Sequence, residues 1–342
     1  MCFLQSLASH DQSDCCSSRT PNSPIMWGYS TKAKLFFGGV WSLSVGCAAA
    51  NCLPNTALIN NVKEVVQMYR YGAPVSLPEK MSETVKSVMD DMQINQEDRD
   101  LIQPFTVYGF DMFHAGSTYT KFGAIVGIPS NFYYSKVEDV DIQNITVQNQ
   151  PVNWFSSCGE SFKESLILSE EAKKFLIARE IASVHSPSIF FKTIFPLTTG
   201  VIVSALAHQF NKKLKLLERP PRLGGILYVI LSFFGLGLWV FLHDFTTIQI
   251  ELEADKIASS LGEKYVKGGL EAYSKLLERN ICLRELMGSK GEKSYTATGN
   301  DVYFIRQKHL PISHRKAYME NINKPLKQEK SETVDCKVKS SA

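Results

Sequence analysis

The chain has 342 residues, which by length alone indicates about two domains. Lysine and arginine exceed aspartate and glutamate by 37 − 34 = 3, and no stretch interleaves basic with aromatic residues, so the composition argues against a nucleic-acid-binding protein that acts through charge. Eight cysteines without a C-x-x-C spacing argue against a disulfide scaffold, a structural zinc ribbon and a thioredoxin-like motif.

The first apolar block covers residues 35–53, which carry no charge and follow Lys32 and Lys34. We predict a transmembrane helix over this block and a flexible extension over residues 1–34. A secretory signal peptide is the alternative interpretation of the same pattern. The block is long and begins late in the chain, which favours the transmembrane helix.

Residues 54–188 are predicted to form a soluble α+β part. Short β-branched and aromatic runs between Phe105 and Tyr134 are bounded by Gly, Pro and Ser, which is typical of two or three strands. Pro129 lacks a backbone N–H donor, which indicates an edge strand or the end of a strand. A helix is predicted over Ser169–Val184, with Ser169 as its N-cap.

Two further apolar blocks are predicted to cross the membrane, at residues 189–210 and 223–243. The uncharged segment Leu223–Leu242, at 1.5 Å per residue, reaches about 30 Å, the thickness of the hydrocarbon core. A buried core helix is the alternative, but such helices rarely run so long without a polar face. In the other block Lys192 lies near one end, where its side chain can reach the headgroups.

The predicted loop between these spans, residues 211–222, is strongly basic. It carries five basic residues and one acidic residue, a net charge of 5 − 1 = +4. Such loops stay on the side from which the chain is inserted, which is the matrix in a mitochondrial inner membrane. Three spans then place residues 54–188 and a helical C-terminal part, residues 244–323, together on the opposite side. A helix is predicted from Thr246 to Leu261, and residues 324–342 are predicted to be a disordered tail.

Two segments on either side of the later spans resemble a known pair of motifs. Ala178–His185 reads A-R-E-I-A-S-V-H, and Ile250–Asp255 reads I-E-L-E-A-D. The order resembles integral-membrane zinc metallopeptidases of the heat-shock and CAAX-prenyl-protease type. In those enzymes one helix carries H-E-x-x-H, a later helix supplies the third zinc ligand from E-x-x-A-D, and an edge strand ahead of them receives the substrate. The resemblance implies a mainly α fold with a small β-sheet, a zincin-like scaffold and two to three transmembrane helices.

In this chain the chemistry of that motif is incomplete. A zinc site needs two imidazoles one helical turn apart, and Arg179 and Ser183 stand at those positions. His185 cannot substitute, because it lies about 120° away from that helix face. We therefore predict no catalytic residue, no metal and no cofactor. The sequence predicts a pseudo-active site made of Arg179, Glu180, Ser183, Glu251 and Asp255.

We expect Arg179 to occupy the space of the missing zinc and to pair with Glu251 or Glu180, because buried carboxylates need a counter-charge. The alternative is that Arg179 and Glu180 are ordinary surface charges on an amphipathic helix. His309 and His314 have no ligand spacing and are predicted to be surface residues.

Several longer segments, in one order and register from about residue 30 to 320, are similar to the transmembrane protein 177 family. This resemblance implies a multi-pass protein of the mitochondrial inner membrane. The family is associated with biogenesis of cytochrome c oxidase, through subunit 2 and the small assembly chaperone that stabilises it. The similar segments are Gly123–Pro129, Leu168–Glu180, Gly268–Leu277, Gly291–Asn300 and Lys308–Pro311.

These observations favour a non-catalytic membrane assembly factor, whose partners are oxidase subunit 2, its chaperone and the lipid bilayer. A client segment is expected to add as a strand to a client-binding edge strand. A membrane metallopeptidase with atypical ligands is the alternative and predicts stoichiometric zinc. A transporter or channel predicts ionisable residues inside the spans, which Leu223–Leu242 does not contain. The predicted edge strand consists of Gly123, Ala124, Ile125, Val126, Gly127 and Ile128.

Overall fold

The computed structural model of the chain describes residues 31–148, 150–216 and 221–324. Of the predicted flexible extension over residues 1–34, only residues 31–34 are described, and they are helical. The predicted tail over residues 324–342 lies outside the described residues after Lys324, as do residues 217–220 of the predicted basic loop.

Helices account for most of the described chain, as predicted. They are α1 (Thr31–Cys52), α2 (Ile59–Val66), α3 (Glu79–Asp91), α4 (Gln96–Leu101), α5 (Ser157–Ser165), α6 (Glu170–Val184), α7 (Ser188–Lys213), α8 (Pro221–Ser260), α9 (Glu263–Leu286) and α10 (Ser289–Ser294). Residues 312–324 are also helical. The strands are β1 (Tyr69–Arg70), β2 (Ala73–Pro74), β3 (Ile102–Val107), β4 (Phe113–Gly116), β5 (Ala124–Pro129), β6 (Thr146–Val147) and β7 (Gln150–Pro151).

Within the described residues, α1, α7 and α8 are long and apolar enough to cross a membrane. Helices α7 and α8 contain the predicted spans 189–210 and 223–243, and α1 covers the predicted span 35–53 except for its last residue. Helix α7 continues through the first three residues of the predicted basic loop, and α8 begins at Pro221, so the connection is shorter than predicted. Proline is favoured in the first turn of a helix, where its missing N–H is not needed.

Helix α8 corrects one predicted boundary. The predicted span over residues 223–243 and the predicted helix from Thr246 to Leu261 form one continuous helix of 40 residues. The change from apolar to charged residues at His243 marks a change of surroundings, and a change of surroundings does not end a helix. Glycine and proline, the residues that interrupt helices, are absent from the sequence between Leu238 and Ser260.

The three apolar helices pack closely because small residues lie where they touch. A Cβ atom at Gly200 of α7 would lie 2.4 Å from the Ser44 Oγ of α1, and one at Gly235 of α8 would lie 2.6 Å from a methyl group of Val203 in α7. Helices in lipid associate through such close backbone approach. Helix α1 therefore packs against α7, and α7 packs against α8.

The main sheet corrects the prediction of a client-binding edge strand. Its strand order is β3-β5-β4, with β5 parallel to β3 and antiparallel to β4. Strand β5 is therefore the central strand, and neighbouring strands use its backbone on both sides. Every residue of β5 is buried, which is typical of a strand covered on both faces. The wrongly assigned residues are Gly123, Ala124, Ile125, Val126, Gly127 and Ile128.

One hydrophobic core joins parts of the chain that lie before the second apolar helix and after the third. Phe175 and Ile177 of α6 lie at its centre and are fully buried. Other members come from α3, β5, α8, α9 and the helical segment 312–324; they include Val88, Ile128, Ala258, Tyr273 and Met319. We call this assembly the soluble body, because it is built outside the apolar parts of the three helices.

Candidate functional site

Helix α6 places two charged side chains inside the soluble body. Ser169 caps the helix by accepting a hydrogen bond of 3.2 Å from the Ala172 N–H. Glu180 is almost completely buried, and Arg179 retains 19% of its side-chain exposure. The Arg179 Nη2 atom lies 2.7 Å from the Glu180 Oε1 atom, so the predicted Arg179–Glu180 pair is confirmed. The alternative of two ordinary surface charges is wrong.

The second oxygen of Glu180 binds a residue that the sequence analysis did not select. His114 Nδ1 of β4 forms a short hydrogen bond with Glu180 Oε2. The ion pair with Arg179 is not aligned as a hydrogen bond, so His114 supplies the directional contact of this carboxylate. The two residues lie 66 positions apart in sequence and meet only because β4 packs beside α6.

Opposing effects set the ionisation of this pair. Burial alone raises the pKa of Glu180, but the charges of Arg179 and His114 and the hydrogen bond from His114 outweigh it and lower the pKa to about 2. Burial lowers the pKa of Arg179, and the negative charge of Glu180 more than reverses that effect, so its pKa is raised above the ordinary value. Both groups are therefore charged at neutral pH.

A second ion pair lies beside the first. Arg315 donates two hydrogen bonds of 2.6 Å to Asp255, from Nε to Oδ2 and from Nη2 to Oδ1. Tyr273 of α9 donates a further short hydrogen bond to Asp255 Oδ1. The Arg315 guanidinium carbon also lies 4.9 Å from the centre of the Tyr273 ring. This bidentate, fully buried arrangement is the strong form of an arginine–carboxylate contact.

Glu251 lies one turn before Asp255 on α8 and has its own partners. Its Oε1 atom is 2.6 Å from His309 Nδ1, and its Oε2 atom accepts a hydrogen bond of 2.8 Å from the Leu310 N–H. The direct partner of Arg179 is therefore Glu180, and Glu251 acts on Arg179 only through longer-range charge. His309 is partly exposed, as predicted, but its contact with Glu251 was missed.

The predicted serine does not contribute a free hydroxyl group. Ser183 is buried, and its Oγ atom donates a hydrogen bond of 3.0 Å to the Arg179 carbonyl oxygen within α6. Such a bond to the preceding turn satisfies a serine inside a helix. Ser183 lies beside the charged cluster and supports the backbone that carries Arg179.

Together these groups form one electrostatic neighbourhood, which we call the charged cluster. The guanidinium groups of Arg179 and Arg315 each interact through their charge with both carboxylates, Glu180 and Asp255. Two guanidiniums face three carboxylates, so their formal charges sum to 2 − 3 = −1. His114 and His309 each hydrogen-bond to one of the carboxylates. The cluster consists of His114, Arg179, Glu180, Glu251, Asp255, Tyr273, His309 and Arg315.

The donor set of the cluster does not suit a metal ion. Across residues 31–148, 150–216 and 221–324, no group of three or more His, Cys, Asp and Glu side chains is close enough to hold one. A divalent cation at Glu180 or Asp255 would have to displace a guanidinium already bound there. What the arrangement does chemically is to neutralise carboxylates and to tie α6, α8, α9 and the segment around Arg315 together.

The free edge of the sheet lies beside the cluster. Among the described residues, strand β4 pairs with β5 and with no other strand. The Gly116 N–H, at the end of β4, points away from β5 and donates a hydrogen bond of 3.1 Å to Asn55 Oδ1. Because alternate residues of a strand present their backbone groups to the same side, the N–H and C=O of His114 also face away from β5.

These features define a class: a membrane protein with three candidate transmembrane helices and a soluble α+β body that buries a cluster of paired charges. Comparison with known proteins gives the family. The family model described as transmembrane protein 177 matches residues 42–335, and the chain belongs to this family. Transmembrane protein 177 of Danio rerio is 32% identical over 82% of this chain and 93% of its own length. The Homo sapiens protein is 31% identical over 75% of this chain and 82% of its own. No solved structure matches the chain.

Proposed function

We propose that this protein is a non-catalytic assembly factor of the mitochondrial inner membrane. In this proposal it supports cytochrome c oxidase biogenesis by binding subunit 2 and the assembly chaperone of that subunit. Membership of the transmembrane protein 177 family supports the role, and the three apolar helices fit a client that is itself inserted in the membrane. The observation that carries the non-catalytic part is the ion pairing of Glu180 and Asp255 with arginines.

We further propose that α6 and α8 retain the scaffold of a membrane zinc peptidase that has lost its metal. In such a scaffold, Arg179 and Ser183 occupy the places of the two imidazoles, and Glu251 the place of the third ligand. The packing of α6 against α8 supports this, because it brings both motifs to one cluster. Arginine supplies permanently the positive charge that zinc would otherwise bring to the carboxylates.

The scaffold proposal is tested by restoring the imidazoles. We expect the double variant Arg179→His/Ser183→His to bind about one zinc per chain, because residues at i and i+4 of a helix direct both rings to the same side. Metal content of the purified protein in detergent is the measurement, with thermal unfolding to show that the variant is folded.

A triple variant that adds Glu251→Gln is the matched control and should lose the zinc. If the folded double variant binds no more zinc than the unsubstituted protein, the zincin-like scaffold is wrong. Stoichiometric zinc in the unsubstituted protein would instead favour the metallopeptidase alternative.

Client capture is proposed to use the free edge of β4 in place of β5. An extended client segment would pair with the backbone of His114, as in other cases of strand addition. The edge is short, and the side chain of its second residue, His114, is anchored to Glu180, so its backbone is held in position for pairing. This assigns the charged cluster a supporting role in binding rather than in catalysis.

Two substitutions of His114 distinguish the contribution of its backbone to client binding from that of its side chain. His114→Pro removes the outward N–H, whereas His114→Ala removes the contact with Glu180 and keeps the N–H. We expect His114→Pro to lower recovery of oxidase subunit 2, in affinity purification from mitochondria, about fivefold below His114→Ala, since one hydrogen bond contributes about 1 kcal/mol. Equal recovery with the two variants would contradict strand addition at β4.

A further inference from the structure

The level of the membrane surface can be placed on all three apolar helices. Basic residues mark one end of each: Lys34 in α1, Lys212 in α7 and Arg222 in α8. About twenty helical residues cross the hydrocarbon core. Counting them from these residues brings the other surface to Asn55 after α1, to Lys192 near the start of α7, and to Leu242 in α8. All three positions lie on the side of the soluble body.

Contacts with the ends of the spans hold two loops of the soluble body at the membrane surface. Loop A, residues 117–123 between β4 and β5, contacts the junction of α6 and α7: the Thr118 N–H donates to the Val184 carbonyl at 3.2 Å, and Ser117 Oγ donates to the Ser186 carbonyl at 2.9 Å. Its neighbour Gly116 is bonded to Asn55 at the end of the first span. Contacts from two different spans therefore hold loop A at the membrane surface.

Loop B, residues 302–306, reaches the same level from the C-terminal side. Arg306 Nη1 lies 3.3 Å from Asp244 Oδ1, two residues beyond Leu242 on α8. The contact between His309 and Glu251 holds the chain after loop B along the next two turns of the same helix. Loop B therefore lies beside the third span where it leaves the hydrocarbon core.

Both loops expose large apolar side chains at this level. Phe304 is 98% exposed and Ile305 is 88% exposed in loop B, and Tyr119 and Phe122 are exposed in loop A. Contiguous exposed apolar groups on a soluble surface mark an interaction site. Cations accompany them: Lys121 Nζ lies 5.3 Å from the centre of the Phe122 ring, and Arg306 follows Ile305.

We propose that loops A and B insert into the headgroup layer of the bilayer and that Lys121 of loop A binds lipid phosphate. Two observations select the bilayer as the occupant. The loops are continuous with the surface from which the spans emerge. Aromatic side chains combined with Lys and Arg complement the membrane interface, where apolar bodies are buried and cations meet anionic lipid. The soluble body thus rests on the membrane and is not merely tethered by its spans.

Fluorescence quenching by lipid tests the insertion directly. The full chain carrying Phe304→Trp is reconstituted in phosphatidylcholine vesicles whose acyl chains are brominated near the headgroup. We expect most of the added tryptophan fluorescence to be lost after the signal of the unsubstituted protein is subtracted. Ile305→Trp serves as a second probe of the same loop.

Tyr71→Trp is the matched control. Tyr71 is fully exposed in the β1–β2 turn, at the end of the sheet away from loop A, where Gln67 bridges to Val107. Its fluorescence should be retained. If tryptophan at 304 and at 305 is quenched no more than tryptophan at 71, the loops do not enter the bilayer and the proposal is overturned. The result does not depend on client binding, so it is separable from the proposed function.

The binding of lipid phosphate is tested with vesicles that also contain phosphatidylglycerol. We expect anionic lipid to increase the quenching of Phe304→Trp, and Lys121→Glu to remove this increase. Lys86→Glu, an equal charge change at an exposed site on α3, should leave it unchanged. An increase that survives Lys121→Glu, or is lost equally with Lys86→Glu, overturns the assignment of Lys121 to lipid phosphate.

Discussion

The carboxylate of Glu180 shows how a single buried residue constrains this molecule. It has almost no exposure and depends on Arg179 and His114 for compensation. Removing one partner of a buried ion pair leaves an uncompensated charge, which destabilises a protein by about 3–5 kcal/mol. Arginine at position 179 therefore contributes to the stability of the soluble body.

Glu180 also predicts how stability depends on pH. Its pKa is lowered from 4.5 to about 2 in the folded chain, so its stabilising effect is complete above its ordinary pKa and is lost as pH falls toward 2. This lowering of the pKa corresponds to a contribution of about 3 kcal/mol to the free energy of unfolding at neutral pH. We expect the free energy of unfolding in detergent to fall between pH 4.5 and 2, and Glu180→Gln to flatten this fall and to lower stability at neutral pH.

Glu83→Gln provides the control for that measurement, because Glu83 is exposed on α3. It should leave the acid profile of the protein unchanged. The same dependence on pH in Glu180→Gln and in the unsubstituted protein would show that Glu180 is not the group responsible.

Among the elements, those with strong local signals were predictable from sequence. Ser169, followed by acidic residues and an apolar stripe, predicted α6, and the structure places this helix at Glu170–Val184 with Ser169 as its cap. The apolar blocks predicted α1, α7 and α8 as spans in the same way. Capping and hydrophobic length depend on neighbours in sequence, so they can be recognised without knowledge of the tertiary fold.

Strand β5 shows why the remaining elements were harder to predict. Its sequence indicates a strand, but whether that strand is central or at an edge depends on β3 and β4, which pair with it. Pro129 indicated an edge strand or the end of a strand, and the second interpretation is confirmed, because Pro129 is the last residue of β5. The continuous apolar run of β5, buried on both faces, is the signal that could have identified a central strand.

In the charged cluster, too, only the residues that belong to local motifs were predictable. One motif in α6 and one in α8 indicated Arg179, Glu180, Glu251 and Asp255. Their partners His114, Tyr273 and Arg315 lie in other elements, and nothing local marks them. Pairing of charges across 60 or more residues is a property of the folded chain, so only the structure can assign it.

At the scale of the whole molecule, α8 connects the membrane to the soluble body. It carries the third span at one end and Asp255 at the other, without interruption. A continuous helix transmits tilt from its apolar half to its charged half. Hydrogen bonds also connect the soluble body to Asn55 after α1 and to Ser186 before α7, so three helices fix its orientation over the membrane surface.

This arrangement predicts that tags at the two ends of the chain lie on opposite sides of the membrane. Residues 102–184 and 250–319 share one core, so they lie on the same side of the membrane. Three crossings would place the start of α1, at Thr31, on the other side. We expect a tag ahead of Thr31 to be reached by protease from the side of the basic connection after Lys213, and a tag after Lys324 from the side of the soluble body. Protease protection in sealed membranes of known orientation, before and after permeabilisation, measures both. Accessibility of both tags from one side would show that α1 does not cross the membrane, because only an even number of crossings returns the chain to its starting side.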